Sequence, residues 1–350
     1  MITDIRLQNF RSYKDAAFEL DKAVNIVVGP NASGKTNLLE ALLVVATGKS
    51  YRATSEDLVM LEQAWARLEA HTDKGARIVK IDKSSGVSKT FEIDDQTFKR
   101  LPANKKLPVV LFEPQHLLIL TGRPELRRDY LDDLLEQTVP NFGKTRRDYK
   151  RALAQRNALL KRDINESKNQ LFAWNIRLSE LGGTIAEARR QLIRELNKKF
   201  TDTYKTLSTG QVSVELRYAS SLGEKNYVSH LLHQLENNTQ LDYQRGFTTF
   251  GPHRDDLTVS VDDRAVADVA SRGEVRTIVL ALKVMEISIL QSLGTHKPII
   301  LLDDVFSELD GARRQALTKY LKNYQTFITT TDADLIVHNF AQKCNIISLA

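Results

Sequence analysis

The segment Gly29-Pro30-Asn31-Ala32-Ser33-Gly34-Lys35-Thr36 limits what this chain can fold into more than any other stretch of it. It fits G-x-x-x-x-G-K-[ST], follows the apolar run Val24–Val28 and leads into the helix-like run Asn37–Val45. A strand, a glycine loop and a helix in that order predict a phosphate-binding loop in an α/β core. Glycine lets backbone N–H groups curl around phosphate oxygens with no Cβ in the way. The helix start at Gly34–Lys35 adds its dipole and unpaired donors. Lys35 then reaches the β- and γ-phosphates, and the Thr36 hydroxyl ligates Mg²⁺. The bland alternative is a glycine turn with no ligand, and the flanking strand and helix weigh against it.

A second motif completes such a site. Ile299-Ile300-Leu301-Leu302-Asp303-Asp304 reads as a buried strand ending in two carboxylates. Ligands of open α/β sheets bind at the carboxyl ends of the strands, so both acids are expected to face the phosphate loop. Asp303 is expected to hold Mg²⁺ and Asp304 to orient or deprotonate the attacking water. Alone, the pair would read as a turn after a core strand. Between the motifs, Ala270-Ser271-Arg272-Gly273-Glu274 heads a helical run from about Arg272 to Ser292. Ser271 is an N-cap residue, and a helix N-terminus with a nearby glycine is a second anion site. One triphosphate already has its cradle, so that site points to a dimer in which Ser271 of one copy meets the γ-phosphate held by Lys35 of the other. An ordinary helix cap accounts for the same spacing.

The remaining patterns organise the chain. Ile2–Phe10 and Phe18–Val28 read as strands, residues 65–95 as short strands in an antiparallel layer, and Val109–Phe112 as a strand closed by Pro114. From about 123 the period turns helical. Leu171, Trp174, Leu178, Leu181, Ile185, Ala188 and Leu192 make a seam with a partner in 149–162 (Ala152, Leu153, Leu159, Leu160), which predicts a helical hairpin. Gly182-Gly183 predicts a bend or a close approach within it. Strand patterns are expected to resume at Thr248-Thr249-Phe250 and Leu257–Val261, and a helix-strand-helix run to finish the chain.

Charge is unevenly placed. Residues 141–200 carry fifteen Lys/Arg against six Asp/Glu, a local +9, so the rest of the +6 chain nets −3. An inserted basic arm of helices with Lys/Arg facing away from the seam suits a nucleic-acid binder, and equally a solvated surface. The single cysteine, Cys344, leaves no internal disulfide and reads as a small buried residue. No apolar run approaches the ~20 residues of a membrane span, and the N-terminus has a strand pattern, so a cytoplasmic protein is expected.

The Gly-Lys-Thr loop, Ser271-x-Gly-Glu, the Asp303-Asp304 strand end and Ser307-Glu308-Leu309-Asp310 resemble the phosphate loop, signature, Walker B and D-loop of ABC-type ATPases. Leu7-Gln8-Asn9-Phe10-Arg11-Ser12-Tyr13, Arg127-Arg128-Asp129-Tyr130-Leu131-Asp132, Gln155-Arg156-Asn157, Gly251-Pro252-His253-Arg254-Asp255-Asp256 and Asp303–Asp310 resemble, in order, segments of the bacterial RecF family.

The resemblance implies an ABC-type head with a mixed sheet, an antiparallel β layer and flanking helices, carrying a short helical arm. Residues 1–115 and 241–350 would form the ATPase core and 116–240 the arm. It implies ATP-dependent dimerisation, DNA binding, slow DNA-stimulated hydrolysis, and work with RecO and RecR in loading RecA at gaps, in repair, replication restart and the SOS response. By position, Gly29–Thr36 bind ATP, Asp303 serves Mg²⁺, Asp304 the water and Ser271 the partner's γ-phosphate. Arg11 contacts phosphate, and Gln115 is the Q-loop metal ligand. Two departures from other ABC enzymes stand out: Asp304 where most have Glu, and Thr329-Thr330-Thr331-Asp332 where a switch histidine is expected. For His253 and Arg254 both a charge-stabilised turn and DNA contact are open. A scaffold using ATP only as a conformational ligand is the rival class, and a basic arm has no use in a transporter subunit.

Overall fold

A computed structural model of the chain describes residues 1–162, 164–208, 212–294, 296–332, 340 and 344–349, with backbone alone for 164–169. Two compact units emerge: Met1–His116 with Glu286–Ala350, and Leu117–Met285. The first unit opens with β1 (Ile2–Phe10), β2 (Tyr13–Glu19), β3 (Val24–Val28), α1 (Lys35–Thr47), β4 (Trp65–Thr72), β5 (Gly75–Asp82), β6 (Ser88–Ile93), β7 (Gln96–Phe98) and β8 (Val109–Phe112). The expected Phe18–Val28 run is two strands, because Asp21 turns the chain by accepting from the Ala23 amide at 2.7 Å. β1, β2 and β4–β7 form the antiparallel sheet, in the order β2-β1-β4-β5-β6-β7.

The second unit holds α2 (Leu118–Thr121), α3 (Pro124–Thr138), α4 (Phe142–Leu159), α5 (Ile164–Asn197), α6 (Phe200–Leu207), β9 (Val214–Ala219), α7 (Tyr227–Asn237), α8 (Thr239–Arg245), β10 (Asp256–Val261), β11 (Arg264–Ala265), α9 (Val266–Val269) and most of α10 (Arg272–Leu293). It has its own three-stranded antiparallel sheet, β11-β10-β9. The boundary placed at 240/241 by sequence is therefore corrected to 285/286. Residues 241–285 pack with the helices, through β10 on β9 and the Tyr130 side of α3 against α10.

α4 and α5 form the expected hairpin, with Leu171, Leu178, Leu181, Ile185 and Leu192 buried on the seam. α5 runs unbroken through its glycine pair, where a Cβ at Gly183 would lie 2.3 Å from Val228 Cγ2 and one at Gly182 would lie 2.8 Å from Leu231 Cδ2. Those glycines admit α7. The expected strand at Thr248–Phe250 is not formed. The Thr248 and Thr249 hydroxyls serve Asn157 and Asp242 instead, at 2.7 and 2.6 Å.

The arm's arginines also depart from expectation, since four of them lie inside. Arg156 is fully buried and donates to Asn175 Oδ1, Asp242 Oδ2, Thr248 Oγ1 and the Leu235 carbonyl at 2.7–3.1 Å. Arg189 forks onto Asp132 at 2.8 and 3.0 Å and reaches Pro252 O at 2.6 Å. Arg146 is ringed by Asp129, Asp132, Asp133 and Glu136. Arg190 lies over the Tyr227 ring at 5.3 Å.

The Gly251–Asp256 segment is part of this interior. Its His253 Nε2 lies 3.1 Å from the Thr248 carbonyl, which can only accept, so Nε2 carries the proton and Nδ1 accepts from the Tyr149 hydroxyl at 2.7 Å. Tyr218 and Tyr227 both donate to Asp255 Oδ2 at 2.7 Å, Arg127 forks onto Asp256, and Arg128 reaches the Asp255 carbonyl. His253 is thus a structural residue, whereas Arg254 is exposed beside Phe247. Burial pushes the His253 imidazolium down to about 4 from its ordinary 6.5. The unfolded chain binds the extra proton first, so stability present at pH 7 is lost as pH falls from 6.5 towards 4, by about 1–3 kcal/mol. Urea midpoints of the wild type and His253→Gln, compared at pH 7 and 4.5, check this: the wild type should lose more on acidification.

The chain returns to the first unit through the end of α10, then β12 (Ile299–Asp303), α11 (Gly311–Leu321), β13 (Thr326–Thr330) and β14 (Cys344–Ser348). These complete an all-parallel sheet, β14-β3-β13-β12-β8, whose β12 and β13 are buried along their whole length. Cys344 opens β14 half-buried, and the helix expected after β13 lies outside the described residues. α1 packs between the two sheets, so its Leu38, Leu39, Leu42, Val44 and Val45 join Ile5, Leu68, Ile81, Leu301 and Phe327 in one core. At its end, Gly48 takes φ 78° and returns its N–H to the Val44 carbonyl. Among the described residues no helix is long and apolar enough to cross a membrane.

Candidate nucleotide site

The parallel register places the ligand edge. Asp303 of β12 pairs with Thr329 of β13, and Thr330 pairs with Val28 of β3, so the three carboxyl ends share one rim. Residues 29–34 leave β3 on that rim and enter α1 through Gly34, whose φ of 100° a side chain would oppose. A Cβ there would also meet the Tyr13 hydroxyl at 2.9 Å. Tyr13 donates to the Gly34 carbonyl at 3.0 Å, and burial pushes its phenol up to about 12, which keeps the proton on the donor.

Lys35 is buried and its ammonium folds back to donate to the Gly29 and Pro30 carbonyls, both at 2.7 Å. The Thr36 hydroxyl donates to Asp303 Oδ1 at 2.9 Å, bringing together residues 267 apart in sequence. The same carboxylate accepts from Thr329 Oγ1 at 2.8 Å and, through Oδ2, from Tyr51 at 3.1 Å. Burial, then the Asp303 and Glu113 carboxylates, raise the Tyr51 phenol, so it stays a donor. Thr36 and Asp303 thus present converging hard oxygens, a donor set that fits Mg²⁺ completing its shell with phosphate and water.

Asp304, the second acid, is exposed at φ 53°, a left-handed conformation that aspartate tolerates and that turns its carboxylate off the line of the strand. Its N–H donates to Thr329 Oγ1 at 2.9 Å, and Ser307 donates to its Oδ1 at 2.9 Å. Thr329 therefore braces both acids from the place where a switch histidine was expected. Thr329 and Tyr51 carry no motif of their own, and only the pairing of β12 with β13 and the loop after α1 reveal them.

Two expected ligands stand elsewhere. Arg11 forks onto the buried Glu40 at 2.8 and 3.0 Å and donates to the Asp57 carbonyl at 2.9 Å. The Glu40 hydrogen bond holds its guanidinium above the ordinary pKa. Arg11 clasps the end of β1 to α1. Gln115 lies exposed in a single turn after β8, and it is not among the partners of Asp303.

Ser271, in the other unit, caps α10 by a reciprocal pair: its amide donates to Glu274 Oε2 at 2.8 Å and its Oγ accepts from the Glu274 amide at 3.3 Å. The backbone N–H of Ser271 holds the Glu274 carboxyl below its usual range. The cap is exposed.

The family model described as the RecF/RecN/SMC N terminal domain matches residues 1–348. The chain is 33% identical over 347 residues to the DNA replication and repair protein RecF of Acetivibrio thermocellus, covering 95% of this chain and 94% of that one. It is 33% identical over 362 residues to the RecF of Geobacillus thermodenitrificans, covering 99% and 96%. A solved structure described as the recombination mediator protein RecF with ATPrS in the RecFOR pathway superposes with TM-score 0.88 at 27% identity, covering 100% and 97%. A Smc head bound to the C-terminal winged-helix domain of ScpA shares the fold alone, at TM-score 0.55 and 16% identity. With the strand–loop–helix site, the Walker B rim and these likenesses along the whole chain, the protein belongs to the RecF family of ATP-binding ATPase heads within the RecF/RecN/SMC group.

Proposed function

We propose that the chain is an ATP-gated DNA-binding ATPase of recombinational repair, in which two copies close on ATP and hydrolysis reopens them. The observation that carries the reading is the Thr36–Asp303 bond, which joins the phosphate loop to the acidic strand end as one site. The names of the relatives supply the setting, DNA replication and repair and the RecFOR pathway, and within it the reading takes DNA, RecO and RecR as partners and RecA as the protein loaded.

The residues act in order. Lys35 exchanges two neutral carbonyls for the anionic β- and γ-phosphate oxygens, a charge-assisted gain. Thr36 and Asp303 would hold Mg²⁺, which when bound would supply positive charge to offset that of the phosphates. Asp304, steadied by Ser307, orients the attacking water, and its reach, one methylene shorter than glutamate, makes hydrolysis slow. Ser271 of the partner copy donates its hydroxyl to the γ-phosphate, and its helix N-terminus adds to the field there.

Asp304→Asn keeps the shape but cannot take a proton. ATP turnover with gapped DNA should fall by roughly 10²-fold or more while the ATP-bound dimer persists on a sizing column. Negligible turnover by the wild type with and without DNA, with Asp304→Asn leaving the dimer as it was, would favour a scaffold that uses ATP only as a conformational ligand.

A further inference from the structure

Although residues 141–200 look uniformly basic, burial splits them into two populations. Arg146, Arg156, Arg189 and Arg190 are interior. Lys144, Arg147, Lys150 and Arg151 are exposed on α4, and Lys161 and Arg162 are exposed just beyond its end. At about 100° per residue the four on α4 fall within an arc of about 120°. That arc is centred opposite the stripe of Phe142, Arg146, Tyr149, Ala152, Arg156 and Leu159, which is the buried face of the helix. Among the described residues the only acid paired with any of the six is Asp148, 3.7 Å from Arg151. The neighbouring acids of α3, Asp129, Asp133 and Glu136, are drawn to the buried Arg146. The interior arginine thus takes up acids that would otherwise neutralise the outer row.

We infer that the outward face of α4, continued through Lys161 and Arg162, is the surface that tracks a nucleic-acid backbone, taking duplex DNA by its phosphates without reading bases. Residues 144–162 span roughly 27 Å at 1.5 Å per residue. Over that length a duplex presents on the order of sixteen phosphate charges, more than six cations can saturate. Unbranched Lys and Arg side chains, four of them on a regular helix, with Asp148 the single acidic partner among the described residues and no aromatic residue in the row for stacking, suit backbone contact over base readout. Other exposed basic groups among the described residues offer fewer cations, Lys199 and Lys205 about α6 and Lys99 and Arg100 after β7. Near the latter pair, Lys105 is already paired with Asp94 at 2.7 Å and Lys89 donates to the Gly48 carbonyl. The inference rests on the reading that the protein binds DNA, and it names the face.

The test uses the full chain as Lys144→Gln/Arg147→Gln/Arg151→Gln, with Lys99→Gln/Arg100→Gln for comparison, and a 30-base-pair duplex titrated from 50 to 200 mM salt. Each lost phosphate contact lowers the slope of log affinity against log salt by about 0.9, so the triple variant should lose about 2–3 of slope. Its ATP binding and melting temperature should match the wild type, because the three side chains are solvated. The comparison variant should keep its slope. An unchanged slope in the triple variant, or a loss confined to the comparison variant, overturns the assignment while DNA binding by the protein stands. Loss of binding to anionic phospholipid vesicles with DNA binding intact overturns it in favour of a membrane face. No DNA binding by the wild type overturns this inference and the proposed function together.

Discussion

Lys35→Ala is expected to lower ATP hydrolysis by roughly 10²–10³-fold, the usual loss when one preorganised donor to developing charge is removed. It should also abolish ATP-driven association. Among the described residues the Lys35 ammonium hydrogen-bonds to the Gly29 and Pro30 carbonyls, both in the loop of six residues ahead of it, so its loss should leave melting almost unchanged. Loss of function without loss of stability separates a ligand-binding lysine from a structural one. Steady-state hydrolysis, isothermal titration with ATP and a melting curve on one preparation decide it. A variant that binds ATP like the wild type would show that the loop carbonyls are the true partners.

Arg156→Ala is expected to be the most damaging single change in the second unit, costing about 3–5 kcal/mol. Truncation strands the buried Asp242 carboxylate, along with the Asn175 and Thr248 oxygens that Arg156 satisfies. At about 2–4 °C per kcal/mol the melting temperature should fall by roughly 10 °C. Much of the damage is the uncompensated charge rather than a lost attraction. Arg156→Met/Asp242→Leu should therefore recover most of the stability that Arg156→Ala loses. If the double variant is as unstable as the single one, packing and not charge pairing holds this interior.

Legibility in the sequence followed distance along the chain. The phosphate loop is legible because strand, glycines, lysine and helix lie within a single turn of chain, and the Asp303-Asp304 end because a fully apolar strand announces it. The arginines misled because a composition count cannot see their partners: Arg189 meets Asp132 at a separation of 57 residues, and Arg156 meets Asp242 at 86. The same fork that marks a nucleic-acid binder also satisfies a buried carboxylate, and only burial tells the two apart. Thr248-Thr249-Phe250 carried β-branched residues and suggested a strand, yet those hydroxyls serve that polar interior. The unit boundary was hidden because it falls inside α10, where the helical period runs on without a break. The Arg11 ion pair was hidden for a related reason, since its partner Glu40 sits 29 residues on, on a helix face that shows no acid stripe.

The account stands on two copies enclosing ATP, with Ser271 of one completing the site held by Lys35 of the other. Sedimentation of the Asp304→Asn chain with Mg²⁺ and ATP tests this directly, beside the same chain carrying Ser271→Arg. The account predicts a species of about twice 39.6 kDa with ATP, a single-chain mass without it, and a single-chain mass under both conditions once Ser271 is replaced. A mass indifferent to ATP, or an ATP-bound dimer that tolerates arginine at 271, would contradict it.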